Sequence, residues 1–424
     1  MSFGDNYLNR QEYFKSDITG NPQEDLNLIV VIPCFYEPRL IRTLESLWNA
    51  TRPACTLEVI VVVNSPQNAS LEIISQNETT LREAAIFIQQ HNSPSFLFHI
   101  LYKPNLPARQ AGVGMARKIG MDEAINRFNM INNENGIVVS LDADSTCEVN
   151  YFNEIENFYR KYPKANGCNI YFEHPLEGLI HPVEVYANIV QYELHLRYLR
   201  QAFRFIGSPY AFHTVGSCFT VKALAYVKQG GMNTRQAGED FYFLQKIMAL
   251  GKFYELNSTT VYPSPRVSDR VPFGTGAAIK KLVETSDNTL LTYNFLAFKD
   301  LKNFLDRHRE FFRVDEAKYR GILGQLPPPV RQFLSDQHFE QAVVEINSNC
   351  ASLPSFKKKF FQWFNAFRTI KYLNTVHQAD YAKVPVLTAS NALLSAVYPS
   401  RQSETVKDAL LLYRDWDRNV NFLP

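Results

Sequence analysis

The period of apolar and polar positions changes several times along the chain. Residues 1–25 are polar and aperiodic, which predicts a leader packed on a folded surface or partly disordered. Leu28–Ile32, Leu57–Val63, Phe96–Leu101 and Ile137–Leu141 then follow as short, predominantly apolar runs, interrupted only by Glu58, His99 and Ser140. Runs of that kind are strands covered on both faces. Leu40–Leu47 and the stretch from about Gly112 to Phe128 carry helical periodicity instead. The chain up to residue 145 therefore reads as β/α units around a parallel sheet with right-handed connections.

A long helix is expected around Val183–Phe203, with Tyr186, Ile189, Val190 and Leu194 at face spacing, after a strand carrying Tyr171, Phe172 and His174. Another helix begins at Gly238-Glu239-Asp240 and stops at Gly251. Past residue 290 strand signals thin out. Phe295–Phe312, Phe356–Leu373 and Asp408–Arg414 read as helices, separated by Pro327-Pro328-Pro329 and other polar breaks. The expected organisation is a leader (1–25), an α/β domain (26–289) and a mainly helical region (290–424).

Composition narrows the class. At 424 residues with 46% hydrophobic side chains the core is ample. A net charge of +2 gives no argument for nucleic-acid binding. The six cysteines are scattered singly, without C-x-x-C or a zinc-spaced histidine, as buried thiols of a reducing compartment would be. With no secretory leader and no apolar run near the ~20 residues of a spanning helix, a cytoplasmic location is expected.

Two acidic motifs stand out. The apolar run Val138-Val139-Ser140-Leu141 ends in Asp142-Ala143-Asp144. On extended backbone the two carboxylates project the same way, at the carboxyl edge of a sheet where α/β proteins bind ligands. An isolated D-x-D is more often a turn that caps its own amides, so the context decides. Gly238-Glu239-Asp240 supplies a second acid pair at a helix start, where neighbours diverge by about 100° and only one can face a given atom. Taken alone, that pair is a helix start stabilising its own dipole.

Four pieces occur in order: Val31-Ile32-Pro33-Cys34-Phe35-Tyr36-Glu37, Ala111-Gly112-Val113-Gly114-Met115-Ala116-Arg117, Leu141-Asp142-Ala143-Asp144 and Gly238-Glu239-Asp240. Over roughly residues 27–255 this set resembles glycosyltransferase family 2, the nucleotide-sugar-dependent inverting transferases. The resemblance implies a GT-A fold, Rossmann-like, with a mainly parallel sheet and flanking helices, to which the helical C-terminal region is appended. It also implies Mn2+ or Mg2+ as cofactor, with Asp144 coordinating and Asp142 assisting or contacting the ribose. Asp240 is implied as the base that deprotonates the acceptor hydroxyl, with Glu239 binding the acceptor or bracing the loop.

Pro33, Phe35, Glu37, Asn64, Arg117 and Asp142 fall at nucleotide-binding positions of that family. Phe35 stands where the family has Tyr, Tyr36 where it has Asn, and Asn64 where an Asp pair reads the base; the last change favours uridine over guanosine. Gly112 and Gly114 would allow close approach to the nucleotide. Arg266 and Arg270 lie in a Pro/Gly-rich segment suited to closing over a donor diphosphate, or to an ordinary surface loop. His213 is a further donor or metal contact, or a structural histidine.

The helix from Phe356 carries Phe356, Phe360, Trp363, Phe364 and Phe367 along one side and lysines near the other. That pattern suits burial against the main domain, or peripheral contact with anionic lipid. Acceptor shaping or homo-oligomer contact is the expected task of residues 290–424. The partners are then a nucleotide-sugar donor and a glycan, lipid-linked or small-molecule acceptor, with neither nucleic acid nor a transmembrane segment. Nucleotidyl transfer and a non-catalytic nucleotide- or glycan-binding relative are the rival readings.

Overall fold

The computed structural model of the chain describes residues 2–12, 14–268, 274–284 and 289–419. Strand β1 (Leu26–Cys34) runs between β2 (Thr56–Pro66) and β4 (Ile137–Ser140), parallel to both, and β3 (Phe96–Leu106) lies parallel outside β2. Leu28–Ile32, Val59–Val63 and Val138–Val139 are fully buried. These strands are covered on both faces, which is why they read as unbroken apolar runs.

The second half of the sheet is mixed. Along with β5 (Thr146–Cys147), β6 (Gly167–Phe172), β7 (Phe219–Lys222) and β8 (Phe253–Tyr262), it gives the order β3-β2-β1-β4-β7-β6-β8-β5. Strand β7 runs antiparallel to both β4 and β6, and β5 antiparallel to β8, while β6 and β8 are parallel. The expectation of β/α repetition thus holds up to β4, and the later-arriving β7 then inserts beside it.

Two compact units are distinguished: residues 1–186 with 214–281, and residues 187–213 with 282–424. In the first, the leader forms a short helix, Asp5–Leu8, with Tyr7 and Leu8 buried. The Tyr7 hydroxyl donates to Asp122 Oδ1 at 2.7 Å, and Asp122 also accepts from Tyr226 and from Lys118.

Among the described residues, the elements of the second unit are helices apart from the paired residues Leu291–Thr292 and Val384–Pro385. The continuous helix expected over Phe356–Leu373 is two, Leu353–Trp363 and Ala366–Ala379. Asn365 breaks it because its side chain caps the second helix, accepting from the Arg368 amide. Pro327 and Pro328 start the helix Pro328–Asp336 rather than merely separating elements, since proline's missing N–H is harmless in a first turn. Phe356, Phe360 and Phe364 are buried against Phe304, Phe339 and Phe312. Three rings of the aromatic stripe are therefore core of this unit, while Trp363 and Phe367 are half-buried.

Candidate active site

The acids of the two motifs meet through one arginine. The helix Val113–Met130 carries Arg117, whose side chain is 1% exposed. Its Nη2 donates to Asp142 Oδ1 at 2.5 Å, and its Nη1 donates to Glu239 Oε1. A buried guanidinium is tolerated only when its charge is matched, and two carboxylates from distant segments do so here through the two terminal nitrogens, while Nε has no hydrogen-bond partner among the described residues.

Glycine at position 216 is what leaves room for this arginine. A β-carbon there would stand 2.8 Å from Arg117 Nη2 and 3.2 Å from Asp240 Oδ2. The Gly216 carbonyl also accepts from the buried Ser140 hydroxyl at 2.7 Å, which pins the turn to the end of β4.

Asp142 and Asp144 do not continue a strand. Strand β4 ends at Ser140, and the Ser145 amide donates to the Asp142 carbonyl at 3.0 Å, closing a turn. The Ala143 carbonyl is held by Thr43 Oγ1 at 2.9 Å. The two carboxylates consequently take different partners. Asp144 Oδ2 lies 2.9 Å from Arg266 Nε, and Arg266 Nη2 lies 2.5 Å from Glu37 Oε2. The extended-strand geometry expected for the pair is replaced by this turn, although both acids remain at the carboxyl end of β4.

Burial and mutual repulsion act on the acids. Although 37% of the Asp142 side chain is exposed, its carboxyl is set deeply enough to be pushed up to about 6. Burial is the main cause, Arg117 opposes it, and Asp144 and Glu239 add to it. Asp240 is raised well above the usual carboxylate range, chiefly by burial and then by Glu239 beside it, with Arg117 opposing. Glu37 is also raised by burial, against the pull of Arg266.

The helix Glu239–Ala249 starts after Gly238 at φ 68°, a left-handed position suited to glycine. Glu239 is buried and Asp240 half-buried, and Asp240 Oδ1 accepts from the Phe241 amide at 2.7 Å. Gly112 and Gly114 allow a close approach of the chain to itself. A β-carbon on Gly114 would lie 2.2 Å from the Arg235 carbonyl oxygen, and one on Gly112 would lie 2.8 Å from Gln236 Cα. They admit the chain's own 233–236 segment, which precedes the Asp240 helix.

At the end of β1, Pro33 pairs with Val62, Phe35 is half-buried, and Tyr36 has φ 48°. A left-handed aromatic residue is uncommon and needs support. Its amide donates to Asn77 Oδ1 at 3.0 Å and its hydroxyl donates to Glu72. Asparagine, the family's usual residue here, adopts that conformation readily, which is what the departure at Tyr36 forgoes. Asn77 in turn donates to the Asn64 carbonyl, and Asn64 Nδ2 donates to the Ala111 carbonyl at 3.2 Å. Asn64 Oδ1 is buried without a hydrogen-bond partner among the described residues.

His213 belongs to the second unit, where its Nε2 lies 3.0 Å from Asp417 Oδ2. Arg270 lies outside the described residues. Among the described residues no three His, Cys, Asp or Glu side chains are placed to hold a metal ion together. Sequence reasoning missed Gly216, Ser140, Asn77 and Thr43; only Gly216 left a local signal, in the Gly216-Ser217 turn.

The sequence profile described as "Glycosyl transferase family group 2" matches residues 137–282, from β4 through the Asp240 helix and Arg266. No curated protein matches the chain. Among solved structures, Staphylococcus aureus TarS 1-349 in complex with UDP-GlcNAc aligns at 13% identity over 79% of this chain and 91% of its own, with a TM-score of 0.42. The mannosyltransferase PcManGT from Pyrobaculum calidifontis, in complex with GDP-Man and Mn2+, aligns at 16% identity over 98% and 94%, with a TM-score of 0.37. The profile match, rather than these distant likenesses, ties the chain to sugar transfer.

Proposed function

Since this chain is a family 2-like glycosyltransferase with a GT-A-type fold, matched over residues 137–282, we propose that it transfers the sugar of a nucleoside-diphosphate sugar to an acceptor hydroxyl with inversion, assisted by a divalent cation. The observation that carries this reading is Arg117, which draws Asp142 of one acidic motif and Glu239 of the other to a single guanidinium beside Asp240.

The residues suit a hard cation. Asp142 and Asp144 offer only carboxylate oxygens, and Mg2+ or Mn2+ is commonly held by one or two carboxylates, with substrate phosphates completing the shell. A guanidinium already lies against Asp144 as a stand-in positive charge. When bound, the cation would supply Lewis-acid stabilisation of the departing diphosphate.

The chain's own groups do the rest. Asp240 takes the proton of the attacking hydroxyl as that oxygen approaches from the face opposite the leaving group, so a single displacement inverts the anomeric centre. Glu239, engaged by Arg117, braces the helix start and leaves the base role to Asp240. Arg117 fixes Asp142 in place, which limits the reorganisation required during transfer. For the base, the buried Asn64 Oδ1 supports uridine: uracil offers one ring N–H to a single acceptor, whereas guanine presents two donors. Nucleotidyl transfer would leave Asp240 without a task.

No helix among the described residues is long and apolar enough to cross a membrane. The six free thiols support a reducing, cytoplasmic compartment.

Thermal-shift measurements with UDP, GDP and their sugar conjugates, with and without Mn2+, test the reading through ligand linkage. The expected outcome is the largest rise in Tm with a UDP-sugar plus Mn2+, retained in Asp240→Asn while that variant loses transfer. Transfer undiminished in Asp240→Asn would overturn the assignment of the base, and stabilisation indifferent to Mn2+ would overturn the metal.

A further inference from the structure

Arg266 joins two acids that the sequence keeps far apart. Its Nη2 lies 2.5 Å from Glu37 Oε2 at the end of β1, and its Nε lies 2.9 Å from Asp144 Oδ2 in the turn after β4. The Glu37 side chain is wholly buried, and those of Arg266 and Asp144 are 19% and 20% exposed. One positive charge is therefore set between two negative ones where solvent screening is weak, so the contacts count for more than a surface ion pair.

Arg266 occupies the Oδ2 side of Asp144, so a divalent cation bound at that oxygen would have to replace it. A guanidinium at hydrogen-bond distance and a metal at coordination distance cannot share that oxygen edge, and their charges repel. A doubly charged cation placed there compensates both acids without the arginine. Displacing Arg266 has a cost unless its charge finds another anion, and a diphosphate is such an anion, able to accept the planar fork of donors from two oxygens.

We propose that Arg266 is the resident counter-cation of Glu37 and Asp144, displaced when metal binds, so that the protein takes up metal together with a nucleoside diphosphate rather than before it. This rests on the reading of Asp144 as a metal ligand. It assigns Arg266 two successive partners: the site acids at rest, and the donor's phosphates once metal has arrived.

Mn2+ binding to the full chain, followed by the electron paramagnetic resonance of free Mn2+, tests this without any turnover. In the absence of nucleotide, Arg266→Gln should bind Mn2+ more tightly than the unmodified protein by about tenfold, the scale of an ion pair between partly buried groups. Arg266→Lys retains a positive charge and should stay close to the unmodified protein. With UDP added, the unmodified protein should gain Mn2+ affinity by a larger factor than Arg266→Gln does.

Equal Mn2+ affinity in Arg266→Gln and the unmodified protein, with binding abolished in Asp144→Asn, would overturn the counter-cation role and leave the metal site standing. Unchanged Mn2+ binding in Asp144→Asn would remove the metal site, and this proposal with it.

Discussion

Gly216 and Arg117 are packed so closely that the guanidinium lies where a side chain at 216 would begin: a β-carbon would meet Arg117 Nη2 at 2.8 Å. Gly216→Ala must therefore push the arginine off Asp142 and Glu239 or shift the turn. Displacement of this order at reacting groups lowers kcat by roughly 10²-fold, with overpacking adding about 1–3 kcal/mol of destabilisation. Steady-state transfer kinetics beside thermal unfolding check this, and wild-type kcat in Gly216→Ala would show that the contact is relaxed at no consequence.

Arg117→Lys tests the fork itself. An ammonium is a point charge and cannot present two rigid nitrogens to Asp142 and Glu239 at once. One acid then loses its partner, at about 1–3 kcal/mol. Thermal unfolding should report that loss, with kcat falling more than KM rises. Equal stability and kcat in Arg117→Lys would mean that charge alone suffices.

The pH dependence of transfer follows from Asp240. Burial, and then Glu239, hold its carboxyl above the usual range, so it takes up a proton at a higher pH than an ordinary aspartate and ceases to serve as base. kcat/KM should therefore fall on the acid side with an apparent pKa well above the ordinary 3.8. The limb belongs to the coupled acids together. Glu239→Gln removes a like charge and should move it to lower pH; a limb that stays put would assign the titration elsewhere.

In the second unit, Asp417 accepts from Arg197 at 2.5 Å, from Gln201 at 2.6 Å, and from Arg200, and it also pairs with His213. Burial opposes its ionisation, but Arg200 and Arg197 outweigh burial and hold the carboxyl well below its usual value. A depressed carboxylate stabilises the fold above its unfolded pKa of 3.8 and loses that contribution as pH falls below it. Asp417→Asn should cost about 3–5 kcal/mol near neutral pH by removing the carboxylate that both Arg197 and Arg200 meet, Arg197 keeping Glu193 as well. Its Tm should converge on that of the unmodified protein in acid, and a constant gap between pH 7 and pH 3 would refute the electrostatic account.

What a single stretch of chain encodes is legible in its residues alone. The runs at Leu28–Ile32, Val59–Val63 and Ile137–Val139 are apolar at consecutive positions because both faces of their strands are covered, and burial on that pattern is written locally. The acidic motifs are legible for a related reason: a turn after a strand and a helix start are short-range features that aspartate, glutamate and glycine mark. The long helix Leu71–His91 has a start marked by its Ser70 cap and Glu72, but not a legible face, because its apolar residues follow no clear stripe and only four of its residues, Asn77, Thr80, Ala84 and Phe87, are buried.

Partner choice is not legible in this way. Arg117 and Glu239 lie 122 positions apart, and His213 and Asp417 lie 204 apart. Nothing in the neighbourhood of an arginine states which distant carboxylate will enclose it. The same holds for Gly114, whose missing side chain makes room for the Arg235 carbonyl, and for β7, which enters antiparallel beside β4 after a long excursion. The amino-acid order alone set the period of each element and the places where acids could gather, because those depend on backbone conformation and local burial. Which acid faces which cation, and hence which carboxylate is free to act as base, was decided only by tertiary packing, because charge pairing in a low-dielectric interior depends on distances that folding alone creates.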